Sequence, residues 1–250
     1  MLKRRTPNGL QWKRKEAKRM AGQASMLRTQ PMVCRPRISR KYIWENKKAY
    51  DALAQEYAER IDDYANSGVK ISQEFINEMK NKGSRRVLEL GCGGGINLRY
   101  FEGEGFKTTA IEISGKMIRA AKKAAPKTRY ILADFLAHNF RGEKFDGIFA
   151  HSFIHLFTKR DAEIVLGKTI NLLAKGGILY VGTTKHQKPF EGYLEKADYK
   201  NSQVKRYRKQ WTKKELLGLF KKFGLSVIFE REFEEQARKK SWIYFLLKKD

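Results

Sequence analysis

The stretch VLELGCGGGINL, residues 87–98, holds residue types that suit a nucleotide-like ligand. An apolar run containing the acid Glu89 leads into glycines and then into a helix-favouring sequence. Glycine lets the backbone turn tightly and lets a ligand approach without meeting a Cβ. The pattern predicts a ligand crevice at the carboxyl end of the first strand, and the alternative is a glycine-rich turn that binds nothing.

The spacing of these residues reduces the number of ligand classes that the glycine loop could bind. A dinucleotide fingerprint needs a third glycine where Ile96 stands, and a phosphate loop needs a Lys-Ser/Thr pair that is missing here. The observed pattern is E-x-G-x-G-x-G, formed by Glu89, Gly91, Gly93 and Gly95. A carboxylate in this place would repel a pyrophosphate and attract an ammonium group. S-adenosylmethionine carries such a group in its methionine half and is therefore the expected cofactor.

Two further acids stand at predicted strand ends. Glu112 follows Glu89 by 23 residues and could accept hydrogen bonds from both ribose hydroxyls of a nucleoside. Asp134 could accept from an adenine amino group, with Phe135 in apolar contact with the ring. The alternatives are a solvated strand-end acid at Glu112 and a turn-capping acid at Asp134.

The pattern along the chain alternates between short β runs and amphipathic helices. Strands are predicted at 86–90, 108–113, 129–133, 145–150, 178–183, 225–230 and 241–247, and helices at 44–60, 69–79, 96–103, 114–125, 161–173 and after the capping box of Thr212 and Glu215. Such alternation predicts an α/β fold with a mostly parallel sheet covered by helices on both faces, and an antiparallel edge from the last two strands.

Six segments together resemble the class I, seven-stranded S-adenosylmethionine-dependent methyltransferases of the small-molecule type. They are YDxxAxxY at 50–57, VLELGCGGG, AIEIS, LADF, KFDGIFAHSFIHLF and LLAKGGILYVGTT. The resemblance covers roughly residues 43–248. It implies a three-layer α/β/α sandwich with strand order 3-2-1-4-5-7-6, in which strand 7 is antiparallel.

The resemblance also implies roles for individual residues. Glu89 and the backbone of Gly91, Cys92, Gly93 and Gly95 would lie near the methionine half, Glu112 at the ribose, and Asp134 and Phe135 at the adenine. The segment Ala150-His151-Ser152 would pass beside the sulfonium, Tyr57 would help to close the site, and Ile113 and Met117 complete the cofactor-binding set. Cys92 is interpreted as a small packed residue and not as a nucleophile.

Methyl transfer from a sulfonium requires a base only when the acceptor must lose a proton. His155 is the first candidate for that base and His151 the second. The alternative for either residue is a packed, hydrogen-bonded core histidine.

The position of the Asn/Asp-Pro-Pro-aromatic loop, which many nucleic-acid amino-methyltransferases use, holds Ala150-His151-Ser152-Phe153 instead. No metal-ligand spacing is evident in the sequence, and neither Cys34 nor Cys92 suits carbon-5 methylation of cytosine.

The composition is that of a globular protein with an unusual positive charge. Lys and Arg number 53 against 27 acids, a formal net charge of +26. Residues 1–41 contribute 13 basic residues and one acid, and we expect them to form a disordered basic extension of a domain spanning 42–250. That extension could be a nucleic-acid-binding tail, a transit peptide, or the product of a start codon upstream of a true start at Met26 or Met32.

The sequence predicts a cytoplasmic location and no membrane insertion, and leaves the oligomeric state open.

Three hypotheses on function remain open at this stage. The first is a methyltransferase acting on a small molecule, for which an anionic acceptor would suit the positive charge. The second is an enzyme acting on RNA or a ribosomal component, bound through the basic extension and the Lys205–Lys209 cluster. The third is a non-catalytic scaffold that keeps the fold. The helix at 42–64 and the insert at 184–210, the latter predicted to be an amphipathic lid, are the expected substrate region.

Overall fold

The computed structural model describes residues 40–60, 73–195, 203–235 and 239–249. Its helices are α1 (Lys41–Glu59), α2 (Gln73–Asn81), α3 (Ile96–Gly103), α4 (Gly115–Ala124), α5 (Lys159–Leu172) and α6 (Lys213–Lys222), with a 3₁₀ turn at Ile154–Leu156. Its strands are β1 (Arg86–Leu90), β2 (Lys107–Glu112), β3 (Arg129–Leu132), β4 (Phe145–His151), β5 (Leu173–Thr184), β6 (Phe190–Glu195), β7 (Lys205–Gln210), β8 (Leu225–Glu235) and β9 (Lys240–Lys249). The expectations for residues 1–39, including the basic extension, lie outside the described residues.

Seven strands form one central sheet in the order β3-β2-β1-β4-β5-β9-β8. Strands β1 to β5 pair in parallel, whereas β9 is antiparallel to both β5 and β8. The predicted order 3-2-1-4-5-7-6 is therefore confirmed, with β9 in the place of strand 7 and β8 in the place of strand 6. Because the order reverses between β1 and β4, the crevice beside the carboxyl end of β1 is where a ligand is expected in such a sheet.

The core lies on both faces of the sheet because its central strands are apolar on both sides. In β1, Leu88 and Leu90 belong to one buried cluster and Val87 belongs to the other. Parallel strands that are covered by helices on both faces show this continuous burial. The buried acid Glu89 interrupts the apolar run of β1 at the end that faces the crevice.

Side-chain caps fix the beginnings of three helices. The hydroxyl of Ser114 accepts from the backbone N–H of Met117 at the start of α4, and that of Thr158 accepts from Asp161 at the start of α5. Thr212 and Glu215 form the predicted capping box of α6. These bonds satisfy N–H groups that have no partner within the helix, which is why the helix starts could be predicted to within two residues.

The insert between β5 and α6 contains two strands that were not predicted. Its described residues include β6 and β7, which pair as a separate antiparallel two-stranded sheet, and its role as a lid stays a prediction. The sequence of β7 is KRYRKQ, which is not typical of a strand because charged residues have low strand propensity. Tertiary contacts with α1 and the 3₁₀ turn determine its conformation.

None of the described helices is both long and apolar enough to cross a lipid bilayer.

Candidate active site

The glycine loop after β1 has a backbone that only glycine adopts readily. Gly91 has φ +70° and Gly95 has φ +89°. A Cβ on Gly91 would lie 2.7 Å from Cδ2 of Phe153, and one on Gly95 would lie 2.8 Å from Cα of Ala121. Gly91 thus lets the loop pass over Phe153, whereas Gly95 lets α3 lie against α4. Both glycines are required by the shape of the loop.

Glu112 ends β2 and connects that strand to the glycine loop. Its Oε2 accepts from the backbone N–H of Gly93 at 3.3 Å, and its Oε1 accepts from the N–H of Ser114 at 2.9 Å. The side chain is 8% exposed. Burial raises the pKa of this carboxyl, although the backbone hydrogen bonds from Ser114 and Gly93 oppose the shift. Each oxygen has a further lone pair that a ligand hydroxyl could use.

Glu89 lies behind the glycine loop and is only 2% exposed. Its Oε1 accepts from Nδ2 of Asn97 at 2.8 Å, while its Oε2 has no hydrogen-bond partner among the described residues. Burial raises the pKa of Glu89 to about 8, with the charge of Glu112 adding to the rise and the Asn97 hydrogen bond opposing it. A buried carboxyl oxygen without a partner would be stabilised by a nearby cation.

An open cleft runs from the glycine loop past the ends of β2, β3 and β4, and contains about 810 Å³ of empty space that includes open solvent. Nine of the predicted site residues line it: Tyr57, Gly91, Gly93, Glu112, Ile113, Met117, Asp134, Phe135 and His151. Glu89, Cys92, Gly95 and His155 are not in this lining. Cys92 is buried, and burial raises the pKa of its thiol well above the ordinary value, in keeping with a packed residue.

Asp134 and Phe135 form the wall of the cleft beyond β3. Oδ1 of Asp134 accepts from the backbone N–H of Leu136 at 2.9 Å, which is the turn-capping contact of the alternative interpretation. The residue also lines the cleft, so capping and ligand binding are compatible. Phe135 is buried edge-to-face against Phe153, with 5.7 Å between the ring centroids.

The two candidate bases occupy different places. His151, at the end of β4, lines the cleft, and its Nδ1 lies 3.1 Å from the hydroxyl of Tyr180. Its ring stacks on Trp242 with 5.1 Å between centroids, and burial lowers its pKa to about 4. His155 is 1% exposed, and its Nδ1 lies 2.8 Å from the hydroxyl of Thr183. His155 therefore has the packed, hydrogen-bonded position of the alternative interpretation, and its role as a base stays a prediction.

The helix α1 contributes residues for which no individual role was predicted. The hydroxyl of Ser114 donates to Oδ1 of Asp51 at 2.6 Å, which holds α1 against the end of β2. Asn46 and Tyr50 line the cleft from the same helix. Tyr50 and Tyr57 are seven residues apart, two helical turns, and this spacing could have placed Tyr50 on the cleft face with Tyr57.

Ser152, the residue after β4, belongs to the segment that the resemblance places beside the sulfonium. It has φ +56°, a left-handed conformation that is uncommon outside glycine, and its N–H donates to the carbonyl of Gly182 at 2.8 Å. Such backbone strain often lies at functional sites, and Ser152 lines the cleft beside His151. Within the part of the chain that the structure describes, no group of three or more His, Cys, Asp or Glu side chains is arranged to hold a metal ion.

Residues 87–177 match the sequence family described as "Methyltransferase domain". The fold is shared with the 1,6-didemethyltoxoflavin-N1-methyltransferase of Burkholderia thailandensis, whose crystal structure contains 1,6-didemethyltoxoflavin and S-adenosylhomocysteine. That comparison has a TM-score of 0.65 at 14% identity and covers 84% of this chain and 89% of the other. Residues 87–177 therefore carry a methyltransferase domain.

Curated relatives of this chain include methyltransferases with two different named acceptors. The glycine/sarcosine N-methyltransferase of Parasynechococcus marenigrum is 30% identical over 164 residues, which cover 59% of this chain and 57% of the relative. The malonyl-[acyl-carrier protein] O-methyltransferase of Pseudescherichia vulneris is 28% identical over 101 residues, 40% of each chain. The chain thus spans about half the length of these curated relatives.

Proposed function

We propose that this protein transfers a methyl group from S-adenosylmethionine to a small-molecule acceptor. The observation that carries the proposal is the position of Glu112, whose carboxylate is held at the cleft wall by the N–H groups of Gly93 and Ser114. A carboxylate fixed in this way, beside a glycine loop and at the end of the second strand, is suited to the two ribose hydroxyls of a nucleoside.

The residues around Glu112 fit the rest of the cofactor. The Oε2 atom of Glu89, buried and without a described partner, could accept from the ammonium group of the methionine half. Gly91 and Gly93 line the cleft without side chains, and Asp134 with Phe135 provides an acceptor and an apolar surface for an adenine. When bound, the cofactor supplies an electrophilic methyl group on a sulfonium.

The residues of the chain would position the reactants and exclude water. Phe153, Leu156 and Phe157 give the cleft an apolar lining, to which Tyr50 and Tyr57 of α1 also contribute. Holding two reactants in line within such a cleft can account for a large part of the rate enhancement of a displacement reaction. For an acceptor that must lose a proton, His151 is the base that the geometry favours, because it lines the cleft and its depressed pKa keeps the ring neutral at pH 7.

A small acceptor fits the surroundings of the cleft better than RNA does. Of the Lys205–Lys209 cluster, Arg206 and Lys209 are buried, and Lys209 pairs with Glu215 at 3.0 Å. These charges face the interior, so they add little to a surface for a polyanion. The names of the relatives are consistent with a small acceptor group, since glycine and sarcosine are small molecules and the malonyl group, although carried by a protein, is itself small. The RNA alternative now rests on residues 1–39, outside the described residues, and the cytoplasmic location stays a prediction.

Titration calorimetry with S-adenosylhomocysteine tests the cofactor site. We expect Glu112→Ala to weaken binding by about 10- to 100-fold, because hydrogen bonds to a charged group contribute about 1.5–3 kcal/mol. The matched control is Glu163→Ala, which removes a surface acid that pairs with Lys222 on the helix side of the fold. Equal affinity in the two variants, or no binding by the wild type, would contradict the proposed cofactor site.

Formation of S-adenosylhomocysteine from S-adenosylmethionine then separates the competing functions. Turnover with pooled small metabolites supports the proposal, whereas turnover with total RNA alone supports the second hypothesis. Tight cofactor binding with no turnover on either pool supports the scaffold hypothesis.

A further inference from the structure

The cleft histidine, His151, contacts a hydroxyl that lies in the protein interior. Tyr180 of β5 is fully buried, and its hydroxyl oxygen lies 3.1 Å from Nδ1 of His151. His151 ends β4 and lines the cleft. The pair therefore connects the interior of the sheet with the candidate active site.

Aromatic packing holds both rings of the pair in place. The ring of Tyr180 stacks on Phe149 and on Tyr244, with 4.0 and 5.4 Å between the ring centroids. The ring of His151 stacks on Trp242. Side chains that are packed in this way keep few alternative orientations, so the contact between the hydroxyl and Nδ1 is preorganised.

A glycine makes room for this contact. Gly182 of β5 is in register with His151 of β4. A Cβ on Gly182 would lie 2.6 Å from the hydroxyl oxygen of Tyr180 and 2.7 Å from Nδ1 of His151. The two atoms of the hydrogen bond thus occupy the space that a side chain at position 182 would need.

The hydrogen bond has two possible directions, and burial distinguishes them. If Nδ1 donated, the hydroxyl hydrogen of Tyr180 would have no acceptor, since Nδ1 is the one hydrogen-bond partner of that hydroxyl among the described residues. If the hydroxyl donates, both of these buried groups are satisfied. Because a buried donor without an acceptor is costly, the hydroxyl of Tyr180 is the donor and Nδ1 of His151 is the acceptor.

The protonation states agree with this direction. Burial raises the pKa of Tyr180 well above its ordinary value, and the charges of Tyr244 and Glu74 add to the rise. Burial lowers the pKa of His151 to about 4. At pH 7 the hydroxyl therefore keeps its hydrogen, and the neutral imidazole carries a proton on one nitrogen only. With Nδ1 as the acceptor, that nitrogen is Nε2.

The second ring nitrogen, Nε2 of His151, is accessible. Within the described parts of the chain, the hydrogen bond of this ring uses Nδ1, and Nε2 has no partner. A buried nitrogen without a partner would be an unsatisfied polar atom, and Nε2 is not among the buried unsatisfied atoms of the described residues. Since His151 lines the cleft, its Nε2–H can bind solvent or a molecule in the cleft.

We propose that Tyr180 is a positioning residue whose hydroxyl donates to Nδ1 of His151 and so fixes the tautomer that presents Nε2–H to the cleft. The inference rests on the proposed methyl transfer and deepens it, because His151 would donate a hydrogen bond to an oxygen or nitrogen atom of the methyl acceptor. Removal of a proton by Nε2 would first require the other tautomer. An acceptor whose nucleophilic atom already has a free lone pair therefore suits the site best.

Long-range ¹H–¹⁵N NMR of protein with ¹⁵N-labelled histidine distinguishes the two tautomers, because protonated and bare ring nitrogens have well separated ¹⁵N shifts. The signals that are missing in His151→Asn assign His151. In cofactor-free wild type at pH 7 we expect a protonated Nε2 and a bare Nδ1. In Tyr180→Phe we expect both shifts to move toward the average of the two tautomers, because Nδ1 has lost its donor.

Tyr244→Phe is the matched control, since it removes a hydroxyl of the same aromatic stack that donates to Glu74 instead of to His151. We expect it to keep the tautomer of the wild type. Gly182→Ala disturbs the contact without removing either partner, and it replaces Tyr180→Phe if that variant folds poorly. Thermal unfolding verifies that each variant is folded. A proton on Nδ1 in the wild type, or an unchanged tautomer in folded Tyr180→Phe, overturns the proposal.

Methyl transfer is measured separately from the tautomer. With a metabolite pool that supports formation of S-adenosylhomocysteine, we expect Tyr180→Phe to lower the initial rate about 2- to 10-fold relative to Tyr244→Phe, the effect of one hydrogen bond. The affinity for S-adenosylhomocysteine should be unchanged, and equal rates would overturn the role of the tautomer in methyl transfer. If the wild type shows neither cofactor binding nor turnover, the proposed function fails, and the NMR of the cofactor-free protein still decides the tautomer.

Discussion

The side chain of Asn46 pairs with the backbone of Tyr207 as a neighbouring strand would. Oδ1 of Asn46 accepts from the N–H of Tyr207 at 2.7 Å, and its Nδ2 donates to the carbonyl of Tyr207 at 3.2 Å. The two residues are 161 positions apart, so this long-range contact joins α1 directly to β7. Because both residues are buried, the contact fixes the position of the strand that carries Arg206 and Arg208.

Replacing Asn46 by alanine is expected to destabilise the protein. The buried N–H of Tyr207 would lose its acceptor, and an unsatisfied buried donor costs about 1–3 kcal/mol. The free energy of unfolding from urea denaturation measures the effect. Gln55→Ala is the matched control, since Gln55 makes an exposed side-chain hydrogen bond on the same helix. Equal destabilisation by the two substitutions would show that the pairing of Asn46 with Tyr207 contributes nothing.

Two glycine substitutions are expected to have opposite effects. Gly91→Ala places a Cβ against Phe153 at a positive φ, so we expect it to destabilise the protein by about 1–3 kcal/mol and to weaken binding of S-adenosylhomocysteine. Gly218→Ala lies in α6 with no atom within 4 Å of the new Cβ, so it should stabilise by about 0.5–1 kcal/mol. Thermal unfolding with calorimetric titration checks both. A Gly91→Ala protein as stable as the wild type would exclude the strained loop.

Glu89 is expected to make stability fall as the pH rises. In the folded protein burial raises the pKa of Glu89 to about 8 from its ordinary value of 4.5, so the folded state keeps a proton that the unfolded state releases. Stability should therefore decrease between pH 4.5 and 8, and Glu89→Gln should remove that part of the dependence. Urea denaturation at pH 5, 6.5 and 8 measures the difference, with Glu163→Gln as the surface control. A stability difference between Glu89→Gln and wild type that does not grow with pH would contradict the buried, protonated state.

His151 is expected to stay neutral in the folded protein well below pH 6.5. Burial lowers its pKa to about 4, so the unfolded state binds a proton before the folded state does. This histidine should therefore cost stability as the pH falls from 6.5 toward 4. NMR of ¹³C-labelled histidine follows its titration, and the missing signal in His151→Asn assigns it among the four histidines. A midpoint near 6.5 in the folded protein would show that the ring is solvated.

Local signals explain why much of the fold could be predicted. The capping residues Ser114, Thr158 and Thr212 and the apolar periodicity of the helices act within a few residues, so each pattern can be interpreted without the rest of the chain. The insert gave no such signal. Its strand β7 is rich in charged residues, and it becomes a strand because it pairs with β6 and because Asn46 binds the backbone of Tyr207.

The sequence by itself determined the glycine loop, the strand-end acids and the α/β alternation, because these depend on residue type and on spacing along one short segment. The tertiary structure decided which of the two histidines faces the cleft. It also turned Arg206 and Lys209 inward and placed Asn46, Tyr50 and Asp51 over the site. The physical reason is that burial and long-range hydrogen bonds depend on which segments come together in space, and local sequence does not contain that information.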